Sequence, residues 1–162
     1  MEESEAGKPV KVIVLLEQDD EDYPPVDYEE LWTIPLGEGL YRVENIPFFA
    51  RGIARGDIVS AAVDNEDLIF QEVAEQSGHS TIRLIIYNEY AVPAIVERFL
   101  NQGCDAETTF NKLVALDVPP DVSLEAVKAK LDLGYTQGQW DYEEASIYHS
   151  PEELSDELKV KA

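Results

Sequence analysis

The side chains best suited to catalysis in this chain are His79 and Cys104. His79 stands in the segment SGHSTIR, where flanking hydroxyl groups at the start of a predicted strand would suit a general base. We favour a structural role, in which this polar segment joins two halves of the chain and His79 packs at their seam. Cys104 follows a predicted helix end and precedes Asp105, and both neighbours disfavour the thiolate that a nucleophile needs. We therefore assign no catalytic residue and do not favour an enzyme.

Acidic residues form two dense groups. The first group is Glu17, Asp19, Asp20, Glu21 and Asp22. The second is Asp141, Glu143 and Glu144, beside the aromatic residues Trp140 and Tyr142. Carboxylates also bind Ca²⁺ or Mg²⁺, but the first group lacks the spacing and central glycine of an EF-hand loop. On a strand, Asp141 and Glu143 would share one face, which suits docking arginines as well as acid–base chemistry. We predict that both groups contact a basic partner, with the two aromatic residues as exposed anchors.

Two arginines lie close together in the segment RGIARGD. Arg51 and Arg55 either neutralise nearby acids, which we favour, or hold an anionic ligand at the seam beside His79. The chain has no GxxxxGK[ST] phosphate loop and no GxGxxG dinucleotide turn. Its histidines, cysteine and acids show no metal-ligand spacing either. The sequence thus predicts no cofactor and no metal.

The dominant property of the chain is its negative charge. The 162 residues carry 34 Asp and Glu against 12 Lys and Arg, a formal net charge of −22. The excess is spread along the whole sequence rather than collected in one tail. Such a field repels phosphate groups and anionic membranes and attracts basic proteins. Direct nucleic-acid binding is disfavoured, because the sequence has no basic stripe.

Composition also limits where the protein works. No run of 18 apolar residues is present, so we expect no membrane span. The N-terminus, MEESEAGK, lacks the basic start and apolar stretch of a signal peptide. A single cysteine cannot form an internal disulfide. Together these features lead us to expect a cytoplasmic protein.

The first half of the sequence predicts a small β-rich domain. Short apolar or alternating runs indicate strands at 10–16, 31–35, 40–44, 58–63 and 68–74. No helical pattern separates them, so we expect an antiparallel, barrel-like sheet. The expected domain covers residues 10–78 and follows a flexible N-terminus, residues 1–9.

The second half alternates strands with helices. Strands are predicted at 81–87, 106–110, 113–118 and 140–147. An apolar face that includes Val92, Ile95 and Phe99 predicts the first helix, and Ser123 is placed to cap a second helix that ends at Gly134. This strand, helix, strand, strand, helix, strand order is that of a ferredoxin-like α+β domain, expected over 79–149. An acidic, flexible tail is expected over 150–162.

Several stretches resemble an uncharacterised bacterial family that is known only as a domain of unknown function. They are LWTIPLGEGLYRVENIPFFARGIARGDIV, SGHSTIR and LVALDVPP, which together span roughly residues 10–147. The resemblance transfers no catalytic residue, but it implies a bacterial cytosolic protein. It also suggests a role like that of the small acidic proteins that accompany secreted toxins and inhibit them.

These observations favour an acidic protein-binding protein. The specific hypothesis is an immunity or antitoxin-type inhibitor that docks on a basic toxin or nucleic-acid enzyme and blocks its active site. One alternative is an enzyme or small-ligand-binding protein whose pocket lies between the two halves, lined by His79, Arg51 and Arg55. A second alternative is a DNA mimic, which has the same electrostatics and differs only in its partner.

Overall fold

The described part of the chain contains two sheets that follow one another in sequence. The computed structural model describes residues 8–147. The predicted flexible N-terminus lies outside these residues except for Lys8 and Pro9, and the predicted tail over 150–162 lies wholly outside them. The described part is a mixed structure with one five-stranded sheet, one four-stranded sheet and two α-helices, which confirms the α+β class.

The first sheet closes into a barrel. Its strands are β1 (Val10–Leu15), β2 (Tyr28–Gly37), β3 (Leu40–Val43), β4 (Ile58–Asp64) and β5 (Asp67–Glu75). Successive strands pair antiparallel, and a parallel bridge between Ile13 and Ile69 closes β1 on β5. The inward side chains form a small apolar core that includes Val14, Leu31 and Val59. Each predicted strand is present in this half.

Strand β2 begins earlier than the sequence pattern predicts. It starts at Tyr28 rather than Leu31, because β1 pairs along its whole length and Leu15 lies opposite Tyr28. The intervening acids Glu29 and Glu30 hide this extension in the sequence, since acidic residues are depleted in strands. A tight turn joins β2 to β3, with Gly37 at φ +93° and Gly39 at φ +78°.

The second sheet is antiparallel throughout, in the order β7-β8-β6-β9. Its strands are β6 (Ser80–Ile86), β7 (Asp105–Thr109), β8 (Leu113–Val118) and β9 (Trp140–Ser146). Helix α1 (Val92–Asn101) follows β6 after a single 3₁₀ turn, and helix α2 (Leu124–Thr136) follows β8. Ser123 caps α2 as predicted, since its hydroxyl accepts the N–H of Ala126 at 3.1 Å. Neither helix among the described residues is long and apolar enough to cross a membrane.

Both helices pack on one face of the second sheet. The core between them contains Phe99, Leu131 and Trp140 together with the side chains of β6 and β8 that point to that face. Trp140 is only 1% exposed, and its indole N–H donates to the carbonyl of Leu131 at 3.0 Å. The prediction of Trp140 as an exposed anchor is therefore wrong. Its acidic neighbours suggested exposure, but strand alternation turns it towards the helices.

Gly134 does not end α2, which continues to Thr136. A Cβ atom at Gly134 would lie 2.0 Å from the ring of Trp140. The glycine therefore lets helix and strand approach closely and does not mark the end of the helix.

The opposite face of the second sheet is covered by residues 46–57, which join β3 to β4 and are called the connecting segment below. Thr81 donates its hydroxyl to the carbonyl of Ile53 at 3.2 Å. The N–H of Gly52 donates to the carbonyl of Ala145 on β9 at 2.8 Å. These bonds hold the barrel half against the sheet and form the seam.

Candidate binding site at the seam

The centre of the seam is Arg83 on β6, whose side chain is only 2% exposed. Its Nε donates to Glu143 at 2.9 Å. Its terminal nitrogens donate to the carbonyls of Ala50 at 2.9 Å, Phe49 at 3.2 Å and Pro47 at 3.3 Å. A buried guanidinium is tolerated only when it is paired and hydrogen-bonded. Arg83 is thus a structural cation that fixes the connecting segment.

A carboxylate from the barrel holds the same segment from the other side. Glu29 on β2 accepts the N–H groups of Phe48 at 2.6 Å, Phe49 at 2.9 Å and Ala50 at 2.8 Å. Sequence reasoning missed this residue. The signal that could have found it is strand parity, because Glu29 shares the inward face of β2 with buried Leu31.

Both arginines of the RGIARGD segment pair with carboxylates of the second sheet. Arg51 donates to Glu143 at 2.7 Å, and Arg55 donates to Asp105 at 2.5 Å. Glu143 therefore serves two arginines, Arg83 and Arg51, across the seam. Its carboxylate is occupied within the protein, unlike that of its predicted companion Asp141.

His79 contacts a buried carboxylate at the far end of the seam. Its Nδ1 lies 2.9 Å from both oxygens of Asp117 on β8. Burial raises the pKa of Asp117, and the neighbouring His79 opposes that rise. The backbone N–H of His79 donates to Ser77 Oγ at 3.1 Å, and that hydroxyl donates to the carbonyl of Arg55 at 2.8 Å. His79 is thus built into the seam.

Cys104 lies in the core beside helix α1. Burial raises the pKa of its thiol to about 11, with a smaller contribution from Asp117. The thiolate that nucleophilic chemistry requires is therefore disfavoured at neutral pH. Within residues 8–147, no three His, Cys, Asp or Glu side chains gather so that they could hold a metal ion.

The segment that carries the first predicted acidic group meets β9, which carries the second, at one pocket. Of the predicted acids, Asp141 and Glu143 line this pocket. Residues 17–27, called the acidic loop below, form an ordered turn in which Asp19 Oδ1 accepts the N–H groups of Glu21 at 2.8 Å and Tyr23 at 3.0 Å. Tyr23 then reaches across to β9. A pocket of about 190 Å³, called the rim pocket below, lies between them. It is lined by Tyr23, Arg83, Ile85, Leu113, Asp141, Tyr142 and Glu143.

The rim pocket differs from the predicted seam pocket. None of His79, Arg51 and Arg55 lines it. The reason is that His79 and Arg55 bind β8 and β7 at the other end of the seam, while Arg51 reaches Glu143 from the solvent side with 68% of its side chain exposed.

A row of aromatic rings extends from the rim pocket along the seam. Tyr23 packs edge-on against Phe49 at 6.3 Å, and Phe49 packs against Phe110 at 6.2 Å between ring centroids. Phe110 is 65% exposed and has a left-handed backbone, with φ +51°. The strand predicted over 106–110 therefore ends one residue earlier, at Thr109, and Phe110 belongs with Asn111 to the turn before β8. A bulky residue at positive φ is unusual, which is why the pattern missed it.

The other face of β9 carries a second acidic and aromatic cluster. The Tyr142 hydroxyl donates to Asp132 of α2, and this bond raises the pKa of Tyr142 to about 12. Tyr135 packs edge-on against Tyr142 at 6.3 Å. Glu144 is paired with Lys128 at 3.0 Å. Because β9 is an edge strand, Asp141 borders both this cluster and the rim pocket.

The sequence pattern of a family described as "Domain of unknown function (DUF4265)" matches residues 29–142. The chain belongs to this family. The match confirms the resemblance to an uncharacterised family, and the DUF4265 stretch runs from Glu29 to Tyr142, while the acidic loop precedes it. No curated protein matches the chain.

A solved structure shares the fold of this DUF4265 protein. It is described as "Novel crystal structure of a hypothetical protein from Neisseria gonorrhoeae". The two superpose with a TM-score of 0.73 at 21% sequence identity, over 88% of this chain and 98% of that chain. At this identity the similarity shows a common fold.

Proposed function

We propose that this DUF4265 protein is an acidic binding protein that docks on a basic protein. The observation that carries the proposal is the convergence of the acidic loop and β9 around the rim pocket. The docking face, as we define it, consists of four exposed acids of the loop, Asp141 and two aromatic residues near them. Its members are Glu17, Asp20, Glu21, Asp22, Tyr23, Phe110 and Asp141.

The carboxylates of this face suit the role because they are free to meet a partner. Asp20, Glu21 and Asp22 are exposed, in contrast to Glu29 and Glu143, which are bound to the connecting segment and to arginines. Exposed acids on a chain of net charge −22 accelerate association with a positive partner. The half-buried Tyr23 and the exposed Phe110 provide aromatic anchors of the kind that interface hot spots favour.

The specific form of the proposal is an immunity or antitoxin-type inhibitor in the cytoplasm. An active site that holds a polyanion is basic, and a negative face with aromatic anchors can cover it without doing chemistry. We also propose that the second sheet and its helices are ferredoxin-like. The support is the sheet order β7-β8-β6-β9, in which the first strand of the half lies centrally between the third and fourth, with both helices on one face.

The test is an association-rate comparison with charge-matched variants. The first variant carries Asp20→Lys and Glu21→Lys in the acidic loop. The control carries Glu97→Lys and Asp121→Lys, two exposed acids of the helix layer on the far side of the second sheet. The partner is the basic protein that the immobilised full chain retains from its native host and releases in salt.

The loop variant should associate at least about tenfold more slowly at low ionic strength, and salt should shrink the difference, because steering is screened. The control should remain within about twofold of the unchanged protein, since distant charges are screened. Equal rates for loop variant and control would refute the docking face. Turnover of a substrate by the purified chain alone would refute the role as a binding protein. A DNA-binding protein as the retained partner would favour the DNA-mimic alternative.

A further inference from the structure

The size of the rim pocket limits what can occupy it. At about 190 Å³ it is smaller than the roughly 300–1,000 Å³ of pockets that enclose small-molecule ligands. It is open to solvent beside the exposed acids of the docking face. A single side chain that projects from a partner fits these dimensions better than a free substrate does.

The walls of the pocket combine aromatic, aliphatic and carboxylate groups. Tyr23 contributes an aromatic ring, Ile85 and Leu113 contribute aliphatic surface, and Asp141 contributes an exposed carboxylate. An arginine has a complementary structure. Its guanidinium stacks on aromatic rings and pairs with a carboxylate through two parallel hydrogen bonds, while its stem packs on apolar surface.

The charges behind the pocket are already balanced within the protein. Arg83 directs its guanidinium to Glu143 and to three carbonyls of the connecting segment. Glu143 is shared between Arg83 and Arg51. The carboxylate left to an incoming cation is that of Asp141, whose Oδ1 accepts only the N–H of the next residue, Tyr142, at 2.9 Å. The acidic loop adds further negative charge on the Tyr23 side.

We propose that the rim pocket receives an arginine side chain of the basic partner. This inference rests on the proposed function, because it specifies the contact at the centre of the same docking face. Asp141 pairs with the guanidinium, and the ring of Tyr23 stacks on it. Arg51 pairs with Glu143 from the solvent side. Its positive charge repels the guanidinium of the incoming arginine and lowers the affinity of the pocket for it.

Two short peptides test the proposal on the full chain by NMR titration. One contains a single arginine between glycines with blocked ends, and the other replaces arginine with citrulline, its neutral isostere. The arginine peptide should shift the amide signals of Tyr23, Asp141 and Tyr142 with saturation. The citrulline peptide should shift them little. Equal shifts with both peptides, or shifts confined to residues 19–22, would overturn the proposal.

Three variants sharpen the test. Asp141→Asn keeps the oxygen that accepts the Tyr142 N–H, so the strand should still fold. The loss of the negative charge should lower the affinity for the arginine peptide by about fivefold. Glu97→Gln, on the outer face of α1, is the matched control and should change nothing. Arg51→Gln removes the opposing charge and should strengthen binding. Unchanged affinity in Asp141→Asn, or weaker binding in Arg51→Gln, would contradict the assignment.

The outcomes also separate this inference from the proposed function. If the basic partner associates with salt-dependent kinetics through the acidic loop while the arginine peptide leaves the pocket unoccupied, only the arginine assignment fails. If charge reversal in the acidic loop also leaves the association rate of the partner unchanged, the docking face itself is refuted.

Discussion

The docking face and the clamp both contain carboxylates, yet they use them in opposite ways. The clamp is our name for Arg83, Glu29 and Glu143, which hold the connecting segment. In the clamp, Glu29 and Glu143 are bound by backbone N–H groups and arginines. In the docking face, Asp20 and Asp141 remain exposed. The comparison shows that net charge alone does not identify a binding surface. What distinguishes the two regions is whether each carboxylate is already satisfied inside the protein.

The strongest test of this contrast is Arg83→Met. The substitution leaves Glu143 and three backbone carbonyls of the connecting segment without their buried partner. Breaking a buried pair in this way should lower the free energy of unfolding by about 3–5 kcal/mol. Urea denaturation measures the change. Asp20→Asn in the docking face is the control and should stay within about 0.5 kcal/mol of the unchanged protein. Similar losses of unfolding free energy in both variants would contradict the distinction between the clamp and the docking face.

A second test uses β9, where Trp140 faces the helices and Asp141 faces the rim. Gly134→Ala would normally stabilise a helix interior by about 1 kcal/mol. Here the added methyl group would meet the Trp140 ring at 2.0 Å. We expect a loss of about 1–3 kcal/mol from overpacking, again measured by urea denaturation. A gain in stability would mean that Trp140 does not pack against α2, and that it is available at the rim after all.

The smallest effect concerns the pH dependence of the seam. Burial raises the pKa of Asp117 above its ordinary value of 3.8. The folded protein therefore binds a proton more readily here than the unfolded chain, so this group's contribution to stability falls as pH rises from 3.8 through the folded pKa. Asp117→Asn cannot titrate. The stability of the unchanged protein relative to this variant should decline over that interval in urea titrations at successive pH values. A constant or rising difference would contradict the buried environment.

Local sequence patterns predicted most of the secondary structure. The β-branched run after Pro9, the apolar spacing of Val92, Ile95 and Phe99, and the cap at Ser123 each depend on residues close in sequence. These signals are local because helix periodicity and capping act over a few residues.

The clamp was not predictable in this way. Arg83 binds carbonyls more than 30 residues away and Glu143 60 residues away, and Glu29 binds amides about 20 residues away. Nothing in the residues next to Arg83 marks it as buried. The rim pocket likewise depends on Tyr23 meeting β9, a contact between segments more than 100 residues apart, although the acids Asp141 and Glu143 that line it stand out in the sequence.

The most direct measurement of the central claim is carboxylate footprinting of the full chain, free and bound to its basic partner. Carbodiimide labelling followed by mass spectrometry reports the accessibility of each acid. The account predicts that binding protects Asp20, Glu21, Asp22 and Asp141 and leaves Glu97 and Asp121 unchanged. Protection of the helix-layer acids, with the loop and Asp141 still labelled, would contradict it.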